Sequence, residues 1–276
     1  MIRTIFFFFL FSLNANSQEM FDLLSFDNEP VPVKSIFKTT KIVNGHSAKL
    51  VSKGDLLLLI QHRFGPINSG AYNFYGLDNA QVRIGLEYGI SDKFNLSIGR
   101  SSFLKTIDIT LKAILLNQIS NNKASFKINY LSSIFFKQEI ENKNINEQLS
   151  YLHQFLLAKK VNDKFSLQLS PTLVHYNYVL NGQKNDKLAI GTGIRYKINN
   201  RLSFNSEYFF QFYNINESVS PLSFGFDIET GGHVFQLHLT NVPAMFEKAF
   251  IFENFESWTD GDIYFGFNIS RYFTIK

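Results

Sequence analysis

The chain contains no cysteine. An exported protein without cysteine has no disulfides to stabilise it and cannot carry the lipid-bearing cysteine of a lipoprotein, so any membrane attachment must come from the fold. Long apolar runs are also missing. The longest after the N-terminus, Leu56 to Ile60, is strand-sized, which excludes a helical inner-membrane protein, whose spans need about 20 apolar residues. Charge is sparse and balanced: a net +4, with Lys and Arg scattered and in no block, gives nucleic acid nothing to bind. The histidines His46, His62, His153, His175, His233 and His238 show no HExxH and no acidic partner at ligand spacing, so neither a metal nor another cofactor is expected.

Aromatic residues are abundant, at 16% with 31 Phe and 12 Tyr. That exceeds what a soluble core usually requires and suits a surface in contact with lipid. Arg3 precedes the apolar stretch Ile5 to Leu13, and Ala15 and Ser17 are small residues just before Gln18. This reads as a signal peptide over residues 1–17. Residues 18–53, with Pro30 and Pro32, come before the first clear strand and are expected to form a periplasmic tail or a plug. Residues 54–276 are expected to form one transmembrane domain.

The strand signal is clearest from Gln81 to Ile98. Val82, Ile84, Leu86, Tyr88 and Ile90 recur at every second position, Ser91-Asp92 turns the chain, and Phe94, Leu96 and Ile98 resume the pattern. The intervening residues are polar or glycine, as in a sheet with lipid on one face and water on the other. Period-two counting gives strands near 54–64, 80–90, 93–102, 105–116, 123–135, 148–160, 164–178, 188–198, 201–213, 221–230, 233–241 and 261–273. Links alternate between short and long, apart from a short one at Phe103-Leu104, as in barrels with short periplasmic turns and longer extracellular loops. The fold expected is an all-β, closed, antiparallel up-and-down transmembrane barrel of about twelve strands. Residues 150–157 tolerate either parity, and Pro171 interrupts its run, so the count could shift there.

The final strand, Gly261 to Phe273, resembles the terminal strand of outer-membrane barrels, which the barrel assembly machinery reads. The chain departs from that pattern by ending three residues later, at Lys276. Ile42-Val43-Asn44-Gly45-His46-Ser47, His62-Arg63-Phe64-Gly65, Arg83-Ile84-Gly85, Gly99-Arg100-Ser101-Ser102, Gly231 to Asn241 and the final strand together make the chain similar to an uncharacterised family of exported barrels, a domain of unknown function. The resemblance implies an outer-membrane barrel in a Gram-negative bacterium and no particular activity.

Parity assigns the lumen lining to Arg63, Arg83, Glu87, Asp108, Lys112, Lys127, Arg195, Lys197, Glu207, Asp227, Glu229, Gln236 and His238. Their mixed sign fits cross-lumen ion pairs or a poorly selective channel. Gly85, Gly89, Gly99, Gly191, Gly193, Gly225 and Gly266 share that face, either as open space or as relief where strands coil. Met245, Phe246, Phe250 and Phe252 recur at roughly helical spacing in the last long loop, as a gate in the mouth or a loop on the rim. The function expected is a passive channel for small solutes with no catalytic step, partnered by outer-membrane lipid and the assembly machinery. Its rivals are a scaffold with a filled lumen and, more weakly, a barrel-wall lipid hydrolase using Ser101 or Ser102 with His153.

Overall fold

The structure is a computed structural model that describes residues 31–33, 35–120, 124–138, 144–180, 182–212 and 218–275. The signal-peptide reading of residues 1–17 lies outside these, as do residues 18–30.

Twelve strands close into one antiparallel barrel in sequence order. They are β1 (Asp55–Pro66), β2 (Ala80–Ser91), β3 (Phe94–Ser101), β4 (Thr106–Leu116), β5 (Lys127–Lys137), β6 (Leu149–Lys160), β7 (Phe165–Tyr176), β8 (Asp186–Lys197), β9 (Leu202–Gln211), β10 (Leu222–Thr230), β11 (His233–Thr240) and β12 (Tyr264–Thr274). β1 and β12 seal the ring from Asp55 opposite Thr274 to Arg63 opposite Gly266. Closure leaves no edge strand, the condition for a sheet to sit in hydrocarbon without unpaired backbone groups. Among the described residues the one α-helix, α1 (Glu247–Phe252), is far too short to cross a membrane.

Side-chain burial is inverted relative to a water-soluble protein. Ile84, Leu86, Tyr88 and Ile90 of β2 face outward and are exposed, whereas Gln61, Arg63, Asp108, Asn205 and Asn268 are buried inside the ring. Only a surrounding apolar solvent makes that arrangement favourable. An outward stack of His62 on Phe267 and Phe64 on Phe265, with centroids 4.9 and 5.8 Å apart, ties β1 to β12 across the seam.

The strand limits differ most from expectation at two places. β5 begins at Lys127 rather than 123, and β12 at Tyr264 rather than 261, because Gly261 adopts φ +81° and the Asp262 carboxylate accepts from the Ser257 N–H, holding that stretch as a loop. In β7, Pro171 faces lipid inside an unbroken strand; the ladder to β6 lapses only beside it, between the Gln154–Thr172 and Leu157–Leu169 pairs, where proline has no N–H to donate. The ambiguous parity of β6 also has a cause. Leu152, Leu156 and Ala158 point inward into an apolar cluster, while Tyr151, Phe155 and Leu157 point outward.

Candidate functional site: a plugged lumen

The lumen is occupied by the chain itself. Residues 35–51 run through it, and Thr39 to Ala48 are buried without exception. This segment folds back at its tip: the Ile42 N–H donates to the Gly45 carbonyl at 2.8 Å, the Ser47 N–H to the Thr40 carbonyl at 2.9 Å, and Lys41 bridges His46. A buried backbone must find partners for its N–H and C=O groups, and here the partners are wall side chains. Among the described residues, no backbone-to-backbone hydrogen bond joins residues 35–51 to a strand.

Glu207 of β9 anchors the tip. Its carboxylate accepts the N–H groups of Val43 at 3.2 Å, Asn44 at 2.7 Å and Gly45 at 3.1 Å. Successive amides aimed at one anion form a concave nest, and charge strengthens each bond. The Asn44 amide donates to Ser223 Oγ at 2.8 Å and accepts from Arg63. Asn268 Nδ2 donates to the Val43 carbonyl and Gln236 Nε2 to that of Ile42, both at 2.9 Å. Further along, Gln168 accepts the Ala48 N–H at 2.9 Å and donates to the His46 carbonyl at 2.7 Å, and Asn129 donates to the Ala48 carbonyl at 3.0 Å.

The charged residues expected on the lumen wall fall into three groups. In mid-lumen Arg83 forms a bidentate pair with Asp108 and donates to Gln61; Lys112 lies 3.6 Å from Glu87 and donates to the Ser47 and Lys49 carbonyls. Around the tip sit Arg63, Glu207, Asp227 and Gln236, all buried, with His238 beside Arg63 and Gly266. At the short-turn end are Lys127, Arg195, Lys197 and Glu229, where Arg195 donates to the Ile36 carbonyl at 3.1 Å and Glu229 pairs with Lys38 of the plug.

The glycine-lined wall does not leave open space, which corrects one of the two expectations for it. A side chain at Gly193 would strike Ile42, one at Gly191 would strike Phe209, one at Gly89 the Ser52 carbonyl, and one at Gly99 the Arg83 guanidinium. The missing side chains accommodate the plug and the large lumen residues. Asn95 is likewise no roomy lumen position, since it is buried and donates to Glu87 at 3.0 Å.

The opposite mouth is shut by the β11–β12 connection. Met245, Phe246, Phe250 and Phe252 are buried, and so is every residue of α1. Phe246 packs on Phe135 and on Phe103 of the short β3–β4 link, with centroids at 5.7 and 6.4 Å, and Phe250 meets Phe209 edge-on at 5.2 Å. Lys41 of the plug donates to Glu247 of α1 at 2.8 Å, so the plug and this cap are joined in the middle of the barrel. His46 is held neutral: burial first, then the nearby cations Lys41, Lys112 and Arg83, push its pKa well below the usual value, against the smaller opposing effect of a backbone hydrogen bond at Thr40. Sequence reasoning missed the apolar inner sector formed by Leu131, Phe135, Leu152, Leu156 and Phe209, because β6 looks apolar on both faces and the inward apolar residues of β5 and β9 sit among polar ones.

Ser101 points into the barrel while His153 stands on the lipid face, with Nδ1 2.6 Å from Tyr130 Oη. Ser102, just past β3, donates to Gln81 instead, and β4 and β5 lie between it and β6, which carries His153, so neither serine acts with His153. Among the described residues no cluster of His, Asp and Glu has the shape of a metal site.

A family model described as a membrane-bound beta barrel domain matches residues 37–273, from within the plug to the end of β12. The chain belongs to this family, DUF5777. No curated protein matches it. Among solved structures, the NanC porin superposes with a TM-score of 0.51 at 8% identity, covering 80% of this chain and 99% of the porin. An outer-membrane channel from Pseudomonas putida F1 gives 0.49 at 12% identity, covering 82% of this chain and 97% of that one. LpxR from Salmonella typhimurium gives 0.38 at 12% identity, covering 79% and 99%. At such identity the likeness to NanC is one of barrel fold. Four of the stretches that carry the family resemblance meet at the plug: Asn44 and Gly45 form its tip, and Arg63, Gln236, Thr240 and Asn268 are the wall groups that touch or surround it.

Proposed function

We propose that this protein is a passive channel for small solutes in the outer membrane of a Gram-negative bacterium, shut in the state described by its own residues 35–51 and opened when they move, with no catalytic step. The supporting observation is how the plug is held. Its backbone bonds to wall side chains and not to the sheet, so each contact can be exchanged for water without opening the ladder that keeps the barrel in the membrane. A scaffold with a permanently filled lumen is favoured instead by the cap, whose apolar contacts around Phe246 and Phe250 gain nothing from water.

Because the chain has no cysteine, a tether separates the two readings. Asn44→Cys with Ser223→Cys replaces side chains that already touch at 2.8 Å. In planar bilayers the oxidised double variant should stay silent and the reduced one should show stepwise openings. Silence under reduction, and also after deletion of residues 18–51, would favour the scaffold.

A further inference from the structure

The short-turn mouth of the lumen holds a cavity of about 240 Å³ between the plug and the wall. Five cations border it: Lys38 and Lys49 from the plug, and Lys160, Arg195 and Lys197 from β6 and β8. Only two carboxylates share the lining, Asp163 and Glu229. Asp163 pairs with Lys160 at 3.0 Å but is 96% exposed, so water screens most of its compensation. Glu229 is taken by Lys38. Lys197 makes no ion pair among the described residues.

From this arrangement we infer an anion-binding site for a small soluble ligand bearing a phosphate or a comparable dianionic group. Uncompensated like charges are costly to hold together, and Lys49 shows the cost. Its ammonium is mostly buried, and burial, joined by Lys38 and Arg195, lowers its pKa below that of a free lysine even with the carboxylates of Glu229 and Asp227 acting on it. A dianion among these groups would reverse the repulsion and replace water with charge-assisted hydrogen bonds. The Arg195 guanidinium is already oriented at the cavity rim by Ser203 at 3.1 Å and the Ile36 carbonyl at 3.1 Å, which fixes one side of the site before a ligand arrives. The volume lies just below the roughly 300 to 1,000 Å³ of drug-sized pockets, which restricts the ligand to a phosphate or a compact phosphorylated solute. All five cations lie on the plug or on inward-facing strand positions, so the site opens to the lumen and not to lipid. It also spans plug and wall, so a bound anion would link the two. Ligand binding here does not depend on whether the barrel conducts.

The test is calorimetric titration of the full folded protein in uncharged detergent with inorganic phosphate, at constant ionic strength set by chloride. Binding is expected, and it should weaken by about tenfold for each lost charge-assisted contact in Arg195→Gln and in Lys197→Gln. It should be unchanged in Lys53→Gln, which removes an exposed cation outside the cavity. Retained heat-modifiable migration on gels identifies variants whose barrel is intact. Absence of binding at 10 mM phosphate (about 2.7 kcal/mol), or equal affinity in intact Arg195→Gln and Lys197→Gln proteins, would overturn the site. Competition by phosphatidylglycerol doped into the micelle would overturn the soluble ligand in favour of a headgroup.

Discussion

Replacing Glu207 tests the whole account of the plug. Its carboxylate accepts three consecutive backbone N–H groups, at 3.2, 2.7 and 3.1 Å, at a buried position. Glu207→Gln keeps the volume but removes the charge and turns one acceptor oxygen into a donor, which would face an N–H. At least one plug amide is then left unsatisfied in a buried site, a cost of about 1 to 3 kcal/mol. At about 1.4 kcal/mol per tenfold change, the undocked population should rise roughly 5- to 150-fold. The barrel ladder is untouched, so the loss belongs to the plug. Ala48→Cys supplies the readout: Ala48 is buried and the chain has no other thiol. Its labelling by a membrane-impermeant maleimide should be slow in the otherwise native protein and at least fivefold faster with Glu207→Gln. Equal rates in the two proteins would refute the nest as the anchor.

Three other outcomes follow from the same contacts. Gly45→Val places a Cβ 2.9 Å from the Phe209 ring; overpacking of this kind costs about 1 to 3 kcal/mol and should likewise speed Ala48→Cys labelling. His46 is held neutral by burial and by Lys41, Lys112 and Arg83. Its folded pKa lies below the unfolded value of about 6.5, so plug docking should be at full strength above that pH and weaken as pH falls below it; labelling from pH 8 to 5 should show this, and a His46→Gln protein with the same profile would contradict it. Leu86→Arg, on the lipid face at the middle of β2, should lower urea-unfolding stability by about 2 to 4 kcal/mol, and no change would contradict the assigned parity.

The features legible in the sequence were those that repeat along a single strand. A strand between lipid and lumen must alternate, so β2, β3, β8 and β9 show their two faces directly, and twelve such segments with alternating link lengths give the closed barrel. The alternation was weakest in β6, because Leu152 and Leu156 meet apolar lumen residues while Phe155 and Leu157 meet lipid. The charged wall positions from Arg63 to Glu229 were visible for the same reason, but their partners were not.

Outside β6, sequence by itself determined which side chains face out and which face in, since that depends on parity and on the solvent on each side. The tertiary structure alone decided what fills the interior. Glu207 meets Asn44 across 163 residues and Lys41 meets Glu247 across 206, contacts that leave no local period in the chain. Glycines that the sequence left as either open space or strain relief turned out to be clearance for Ile42, Phe209 and Arg83, because whether a missing side chain leaves room depends on what another part of the chain brings there.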